Sequence, residues 1–255
     1  MVSQRVNYDL IAHAYDSGPH RGKEVDPNLL AYLAERGEMA DPLHILDLGC
    51  GTGNQLIANQ PHVPAATLVG LDLFAGMLQK AQQKSEAIHW LQGDSASPPF
   101  ANDSFDYVSN QFSFHHVQDN VEMIEGVHRV LRRNGRFVMQ NIAPREMPGW
   151  VYYHYFPSAY ALDLDHYLTL EALQQLLAKT GFVNIQLERN HFTYEQELAQ
   201  FLVLAETRVA ASQLMAIADA DYEAGLARLM ADVSDHLILS YNSEICLITL
   251  HADKK

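Results

Sequence analysis

The chain has 255 residues, enough for one large α/β domain or for a domain with a sizeable insertion. Its 17 basic residues face 31 acidic ones, and the formal net charge of -14 disfavours a protein that binds nucleic acid through phosphate contacts. With 48% hydrophobic and 19% charged residues, the composition is typical of a soluble globular protein.

The sequence predicts a cytoplasmic protein. No apolar run approaches the ~20 residues that a helix needs to span a bilayer, and the N-terminus lacks the pattern of a secretory signal. Cys50 and Cys246 are the only cysteines, and they lack C-x-x-C spacing. We therefore expect neither a disulfide framework nor a metal site.

Two helical patterns precede the first predicted strand. Apolar and aromatic residues at helical spacing mark Val6 to Asp16 as a lid-like segment. Asp26 and Pro27 then form an N-cap and first-turn pair that begins a second helix, which Gly37 ends.

A strand followed by a glycine-rich turn comes next. The apolar run Leu43 to Leu48 predicts a buried strand with Asp47 near its end, and Gly49, Gly51 and Gly53 follow at every second position. Such glycines allow a sharp turn and close approach of a ligand. A dinucleotide fingerprint has its third glycine one residue later, and a P-loop needs a following Lys-Ser or Lys-Thr. The turn therefore predicts a nucleotide or nucleoside ligand of another kind.

The run Asp-Leu-Gly-Cys-Gly-Thr-Gly at residues 47–53 resembles the first motif of class I S-adenosylmethionine (SAM) dependent methyltransferases. The resemblance covers about residues 40–143 and implies SAM as the cofactor. Residues 8–23 separately resemble the N-terminal segment of small-molecule methyltransferases, which implies that Tyr15 covers SAM and that Arg21 meets the SAM carboxylate. The alternatives are a tyrosine packed on the sheet and a solvated arginine.

The second predicted strand, Thr67 to Leu73, ends in an acidic residue. Asp72 lies 19 residues beyond Gly53, close to the ~20 at which such a carboxylate accepts hydrogen bonds from ribose hydroxyls. We expect Asp72 and Leu73 to line the nucleoside site, the alternative being a solvated strand end.

A third strand over Ile88 to Leu91 leads to a polar loop. Within the resemblance, Asp94 accepts a hydrogen bond from the adenine amine and Ser95 lies against the edge of the base. The alternative role of Asp94 is that of a turn former.

The fourth strand, predicted within residues 103–109, leads to Asn110, Gln111 and His116. The resemblance implies that the first two lie beside the methionine half of SAM. His116 is a candidate general base because histidine titrates near neutral pH. The alternative is a buried, hydrogen-bonded histidine.

After a helix over Val121 to Arg133 and a strand over Arg136 to Ile142, an aromatic segment begins. It predicts an acceptor-binding wall, because ligand pockets are mostly apolar, although a helix packed into the core fits equally well. The candidate residues are Trp150, Tyr152 and Tyr153 for acceptor binding, and His154 as a second candidate base.

The remaining pattern predicts a helix over Leu170 to Thr180 and a sixth strand over Phe182 to Leu187. Thr193 and Gln196 read as a capping box that begins two helices within residues 194–233, broken near Asp219 to Asp221. Glu244 to His251 is predicted as the last strand, and the family resemblance implies that it runs antiparallel next to the sixth.

These patterns predict a single α/β domain over residues 1–255, a doubly wound, mostly parallel seven-stranded sheet with an antiparallel last strand. Helical lid insertions are added to it: an N-terminal lid at 1–24, an aromatic insertion at about 144–166 and a helical insertion at about 194–233. The function predicted is methyl transfer from SAM to a small organic acceptor, with no nucleic acid or membrane partner and no prediction of oligomeric state. The alternatives are an RNA or protein methyltransferase, a non-catalytic SAM-binding protein and a dinucleotide-dependent oxidoreductase.

Overall fold

The computed structural model describes residues 6–17, 21–37, 42–235 and 238–255. Parts of two predicted segments lie outside these residues: positions 1–5 and 18–20 of the N-terminal lid, and positions 40 and 41 at the start of the predicted core.

The described residues contain a seven-stranded sheet with strand order β3-β2-β1-β4-β5-β7-β6. The first five strands pair in parallel and β7 is antiparallel, which confirms the predicted fold class. The strands are β1 (His44–Leu48), β2 (Thr67–Asp72), β3 (His89–Gln92), β4 (Phe105–Gln111), β5 (Leu131–Ile142), β6 (Phe182–Glu197) and β7 (Ser240–Lys254).

The helices flank and follow these strands. They are α1 (Pro27–Arg36), α2 (Asn54–Asn59), α3 (Ala75–Lys84), α4 (Asn120–Val130), α5 (Val151–Tyr155), α6 (Pro157–His166), α7 (Leu170–Thr180), α8 (Leu198–Glu206), α9 (Ser212–Ala216) and α10 (Asp219–Ser234). No helix in the described ranges is long and apolar enough to cross a bilayer.

The chain divides into two compact units, each described here by itself. The core unit comprises residues 7–141, 171–188 and 249–255, and the insertion unit comprises residues 142–170 and 189–248 together with Val6. Strands β6 and β7 belong to both units along their length.

The core unit is held together by buried apolar side chains on both faces of its parallel strands. In β1, Ile45 and Leu46 are fully buried, and the hydrophobic cluster that includes Ile45 also contains Leu29, Leu56 and Val138. Continuous apolar strands of this kind are typical of parallel sheets covered by helices.

The N-cap prediction at Asp26 is confirmed. Its carboxylate accepts a hydrogen bond from Asn28 N at 2.9 Å, Pro27 occupies the first turn of α1, and Gly37 follows the helix with φ of 68°. Asp26 also accepts a hydrogen bond from the buried Tyr107 hydroxyl at 3.0 Å, so the cap connects α1 to β4.

Several element predictions were wrong. The helical spacing of Val6 to Asp16 forms two short 3-10 turns instead, at Tyr8–Leu10 and Tyr15–Ser17. Thr193 and Gln196 do not form a capping box, because β6 continues to Glu197 and the next helix begins only at Leu198. Pairing with β7 extends β6 by a further ten residues beyond Leu187.

Candidate functional site

Four polar residues follow one another along the carboxyl edge of the sheet in the core unit. Leu48 at the end of β1 pairs with Leu71 on one side and Asn110 on the other, so Asp47, Asp72 and Asn110 lie at the ends of adjacent strands. Asp94 follows β3, which pairs with β2. In open α/β sheets, ligands bind at this edge, where strand order reverses.

The predicted sharp glycine turn lies between β1 and α2, and its three glycines have a left-handed backbone. Gly49, Gly51 and Gly53 have φ of 70°, 55° and 79°. However, the N–H groups of Gly49 and Cys50 both donate to the Leu71 carbonyl, at 2.8 and 3.1 Å. These two amides therefore join β1 to β2 and do not face a ligand.

Packing explains two of the three glycines. A Cβ added to Gly49 would lie 2.1 Å from Ser113 Oγ, and one added to Gly53 would lie 2.4 Å from the Trp90 ring. At Gly51 the nearest atom would be 3.5 Å away, at the end of the Met77 side chain. Of the three positions, Gly51 is the one that leaves room for another molecule.

Asp72 is 7% exposed and accepts hydrogen bonds with both carboxylate oxygens. Gly51 N donates to Oδ2 at 2.7 Å and Phe74 N donates to Oδ1 at 2.9 Å. Burial raises the pKa of Asp72, and these two amides partly offset that shift. The next residue, Leu73, is 37% exposed and presents an apolar surface beside the carboxylate. Asp72 therefore offers acceptors for hydroxyl groups, and Leu73 beside it offers an apolar surface for a flat ring.

Asp47 is 3% exposed. Burial raises its pKa to about 7, against the opposing effects of the 2.8 Å hydrogen bond from Ser109 Oγ and of the positive charge on Lys23. A cationic group bound at this edge would favour the ionised carboxylate. Asp47 is therefore suited to balance positive charge on a ligand.

Asp94 occupies the turn that the alternative interpretation expected. Ala96 N donates to its Oδ1 at 2.9 Å, and Ser97 N donates to its backbone carbonyl at 3.1 Å. Ser95 beside it is buried. A role in adenine binding stays a prediction, and this turn would fix the carboxylate for it.

Asn110 is fully buried and donates through Nδ2 to the Leu48 carbonyl at 2.8 Å and to Ser113 Oγ at 2.6 Å. Its Oδ1 has no hydrogen-bond partner among the residues that the structure describes. Gln111 is less buried, and its Oε1 accepts a hydrogen bond from Lys23 Nζ at 3.1 Å.

Tyr15 and Arg21 interact directly with each other. The guanidinium carbon of Arg21 lies 3.9 Å from the centre of the Tyr15 ring, and its NH1 donates to the Tyr15 hydroxyl at 2.8 Å. Burial raises the pKa of Tyr15, although Arg21 opposes that shift. Whether either residue contacts SAM stays a prediction.

Sequence reasoning missed the role of Asp16. Its Oδ1 accepts hydrogen bonds from Thr52 Oγ1 at 2.6 Å and Asn54 Nδ2 at 3.0 Å, and its Oδ2 pairs with Lys84 at 2.7 Å. Burial opposes ionisation, but the bonds from Lys84, Thr52 and Asn54 lower the pKa of Asp16. Near the start of the same segment, Asp9 accepts a hydrogen bond from Gly76 N at 2.7 Å, so the segment is anchored at both ends.

This anchoring brings Tyr8 to His116. The Tyr8 hydroxyl and His116 Nε2 share a hydrogen bond of 2.9 Å, and their ring centres are 5.4 Å apart. Tyr8 also contacts the rings of Tyr15 and Phe74. His116 is thus a partly buried, hydrogen-bonded histidine next to the carboxyl edge. The spacing of 108 residues between the partners explains why no sequence signal indicated the pair.

The four aromatic candidates of the insertion unit lie at the start of α5 and differ in exposure. Trp150 and Tyr153 are buried, and the Tyr153 hydroxyl donates to Asp163 Oδ2 at 2.6 Å. Tyr152 is partly exposed and its ring centre lies 4.6 Å from that of Trp150, while His154 is exposed. Tyr153 therefore has a packing role, whether or not the group also binds an acceptor.

The core unit fits a nucleoside with a cationic amino-acid tail. It offers acidic acceptors at three strand ends, a glycine at position 51 whose missing side chain would meet only the end of Met77, and a buried Asn110 Oδ1 to which no described group donates. These acceptors suit hydroxyl, amine and ammonium groups, which all donate hydrogen bonds.

Comparison with known proteins identifies the family. The family described as "Methyltransferase domain" matches residues 46–139. The demethylmenaquinone methyltransferase of Lactiplantibacillus plantarum is 26% identical over 73% of this chain and 87% of its own length. The corresponding protein of Lactococcus lactis is 30% identical over 58% of this chain and 69% of its own length.

Among solved structures, a phosphoethanolamine N-methyltransferase 2 of Haemonchus contortus, in complex with phosphomonomethylethanolamine and S-adenosylhomocysteine, has the same fold. It shows a TM-score of 0.62 and 19% identity, covering 98% of this chain and 58% of that one. Together with the carboxylates and glycine turn at the sheet edge, these relationships show that the chain belongs to the class I SAM-dependent methyltransferases, with S-adenosylmethionine as its cofactor.

Proposed function

We propose that this methyltransferase acts on a small organic acceptor. The observation that carries the proposal is the N-terminal segment, which is anchored by Asp9 at α3 and by Asp16 at the glycine turn. Next to the Asp9 anchor, Tyr8 lies against His116 and Phe74 beside the carboxyl edge. A segment held beside the edge in this way suits a small acceptor, and the net charge of -14 disfavours a nucleic acid.

The cofactor residues follow from the donors and acceptors at the edge. Asp72 would hold the ribose hydroxyls, with Leu73, Asp94 and Ser95 at the adenine. Asp47, Gly51, Asn110 and Gln111 would hold the methionine portion, with Tyr15 and Arg21 on the N-terminal segment beside it. Gly49 and Gly53 would contribute by shaping the turn that presents Gly51. When bound, SAM supplies a methyl group activated by a positively charged sulfur. The main task of the protein is then to orient the acceptor and exclude water.

An acceptor that loses a proton needs a base, and His116 is the first candidate. Its Nε2 already shares a hydrogen bond with Tyr8, so we propose that the two residues act as a pair. The Tyr8 hydroxyl would contact the acceptor, and His116 would take up the proton through that hydroxyl. His154, exposed on α5, is the second candidate base.

The acceptor wall is proposed to include Trp150, Tyr152 and Tyr153, whose rings contact one another through Trp150 at 4.6 and 5.0 Å. Two relatives are named for a quinone precursor and one structure for a phosphorylated amine. A demethylated quinone is therefore the first acceptor to test, because aromatic side chains favour a flat ring. A cytoplasmic location stays a prediction.

The test measures release of S-adenosylhomocysteine with purified enzyme, SAM and separate pools of quinones, phenols, phosphorylated amines, RNA and protein. Turnover with one small-molecule pool supports the proposal. Turnover with RNA or protein alone contradicts it, and SAM binding without turnover in any pool favours a non-catalytic role.

The proposed roles of Tyr8 and His116 are tested with the acceptor that this screen identifies. His116→Ala and Tyr8→Phe are each expected to lower kcat by about 100-fold, the lower part of the range for general acid–base catalysis. SAM affinity should change little in Tyr8→Phe. Full activity of His116→Ala would exclude the histidine as the base.

A further inference from the structure

Three residues of the insertion unit that are far apart in sequence bring an oxygen, a nitrogen and a sulfur ligand together. Glu146 ends the 3-10 turn after β5, His191 lies on β6 and Cys246 lies on β7. Their ligand atoms all lie within 4.8 Å of one another. Sequence spacing predicted no metal site, because the cluster forms only when β6 and β7 reach the turn.

The three distances match the edges of a metal tetrahedron. Cys246 Sγ lies 3.7 Å from His191 Nε2 and 3.8 Å from Glu146 Oε2, and Nε2 lies 3.4 Å from Oε2. Zinc bonds are ~2.3 Å long to sulfur and ~2.0 to 2.1 Å long to nitrogen or oxygen. At tetrahedral angles these bond lengths place the sulfur atom ~3.5 to 3.6 Å from the nitrogen and oxygen ligands, and they place the nitrogen and oxygen ligands ~3.3 to 3.4 Å apart. The three ligand atoms therefore need to move by only a few tenths of an ångström to reach tetrahedral zinc geometry.

The surrounding contacts hold two of the ligands in place. Arg189 Nε donates to the other carboxylate oxygen of Glu146 at 3.0 Å, which leaves Oε2 directed toward His191 and Cys246. The Cys246 carbonyl accepts a hydrogen bond from Ala143 N at 2.9 Å. Metal-binding carboxylates are commonly oriented by such partners.

We propose that Glu146, His191 and Cys246 bind a divalent transition-metal ion with the ligand preference of zinc. A thiolate and a carboxylate neutralise its two charges, and three protein ligands leave one position for water. The ion would join the turn after β5 to β6 and β7, and so would stabilise the insertion unit. This site is separate from the cofactor residues and does not depend on the proposed acceptor.

The test uses the full-length protein, stripped of metal with a chelator and titrated with Co²⁺. One equivalent should produce thiolate-to-cobalt charge-transfer absorption, and Zn²⁺ should displace it. Cys246→Ser and His191→Gln should each weaken Co²⁺ binding by at least about 100-fold. This loss is larger than the one usually seen when a residue that only orients a metal ligand is replaced.

The controls are His62→Gln, at an exposed histidine, and Cys50→Ala, at the only other cysteine. Both should retain the absorption of the wild type. His191 is 58% exposed, so His191→Gln is expected to fold even if Cys246→Ser does not. Absence of the band in the wild type, its persistence in His191→Gln, or its loss in Cys50→Ala would each overturn the proposal.

Discussion

Replacing Asp47 by asparagine should change how the stability of the protein depends on pH. The carboxyl group is buried and its pKa is raised to about 7, whereas an unfolded aspartate titrates near ~3.9. Between these values the folded state binds more protons than the unfolded state. Asp47 therefore contributes stability that is fully present below pH ~4 and is lost as the pH rises through about 7.

The size of the effect follows from that interval. From pH ~5 to ~8, unfolded Asp47 is already ionised, and the folded group stays protonated for about two of the three pH units. At about 1.4 kcal/mol per unit, the wild type should lose about 3 kcal/mol relative to Asp47→Asn. Asparagine can still accept the hydrogen bond from Ser109 Oγ, and any packing cost of the amide is the same at each pH.

The assay is urea denaturation of both proteins without cofactor at pH 5, 6, 7 and 8. Asp165→Asn, at an exposed position of the insertion unit, is the matched control and should follow the wild type at every pH. If the difference in unfolding free energy between the wild type and Asp47→Asn is constant from pH 5 to 8, Asp47 is not protonated in the folded protein and the reasoning fails.

Three further predictions concern the same edge of the sheet. Asp72→Ala should weaken SAM binding at least about 100-fold by calorimetry, since two hydrogen bonds to a charged acceptor are worth about 3 kcal/mol or more together; equal affinity in Asp72→Ala and Asp165→Ala would contradict the assignment. Gly53→Ala should cost about 2 to 5 kcal/mol of unfolding free energy, from left-handed strain plus overpacking. Gly51→Ala should cost only about 1 to 2 kcal/mol from strain, and similar losses at both positions would refute the packing argument. Asp16→Asn should speed hydrogen exchange of the N-terminal segment while changing global stability by less than about 1 kcal/mol, as for other exposed ion pairs; unchanged exchange would show that Asp16 is not its anchor.

Local patterns predicted the fold well where one interaction determines the structure. The apolar run at β1, the sharp glycine turn after it and the cap at Asp26 each depend on neighbouring residues, and all three are confirmed. The element boundaries at Thr193 and Gln196 were wrong because residues of β7, distant in the sequence, extend β6.

The residues of the candidate site could likewise be predicted where sequence spacing determines their position, but not where tertiary packing does. Asp72 was found because its distance from Gly53 reflects one strand and one helix of regular length. The contact between Tyr8 and His116, and the one between Asp16 and Lys84, depend on tertiary packing that no spacing rule describes. The structure was also needed to explain why residue 53 is a glycine, since the Trp90 ring on β3 fills the space that a side chain would occupy.

The position of that indole has a practical consequence. The chain has two tryptophans, Trp90 in the core unit and Trp150 in the insertion unit. Trp90 lies over Gly53 and Gly70 with its Nε1 donating to the Ser85 carbonyl at 2.9 Å, so its emission reports directly on the glycine turn. The variant Trp150→Phe would keep Trp90 as the single tryptophan of the core unit, and Trp90→Phe would keep Trp150 as that of the insertion unit. Comparing the two variants would show whether the core unit and the insertion unit melt at the same temperature.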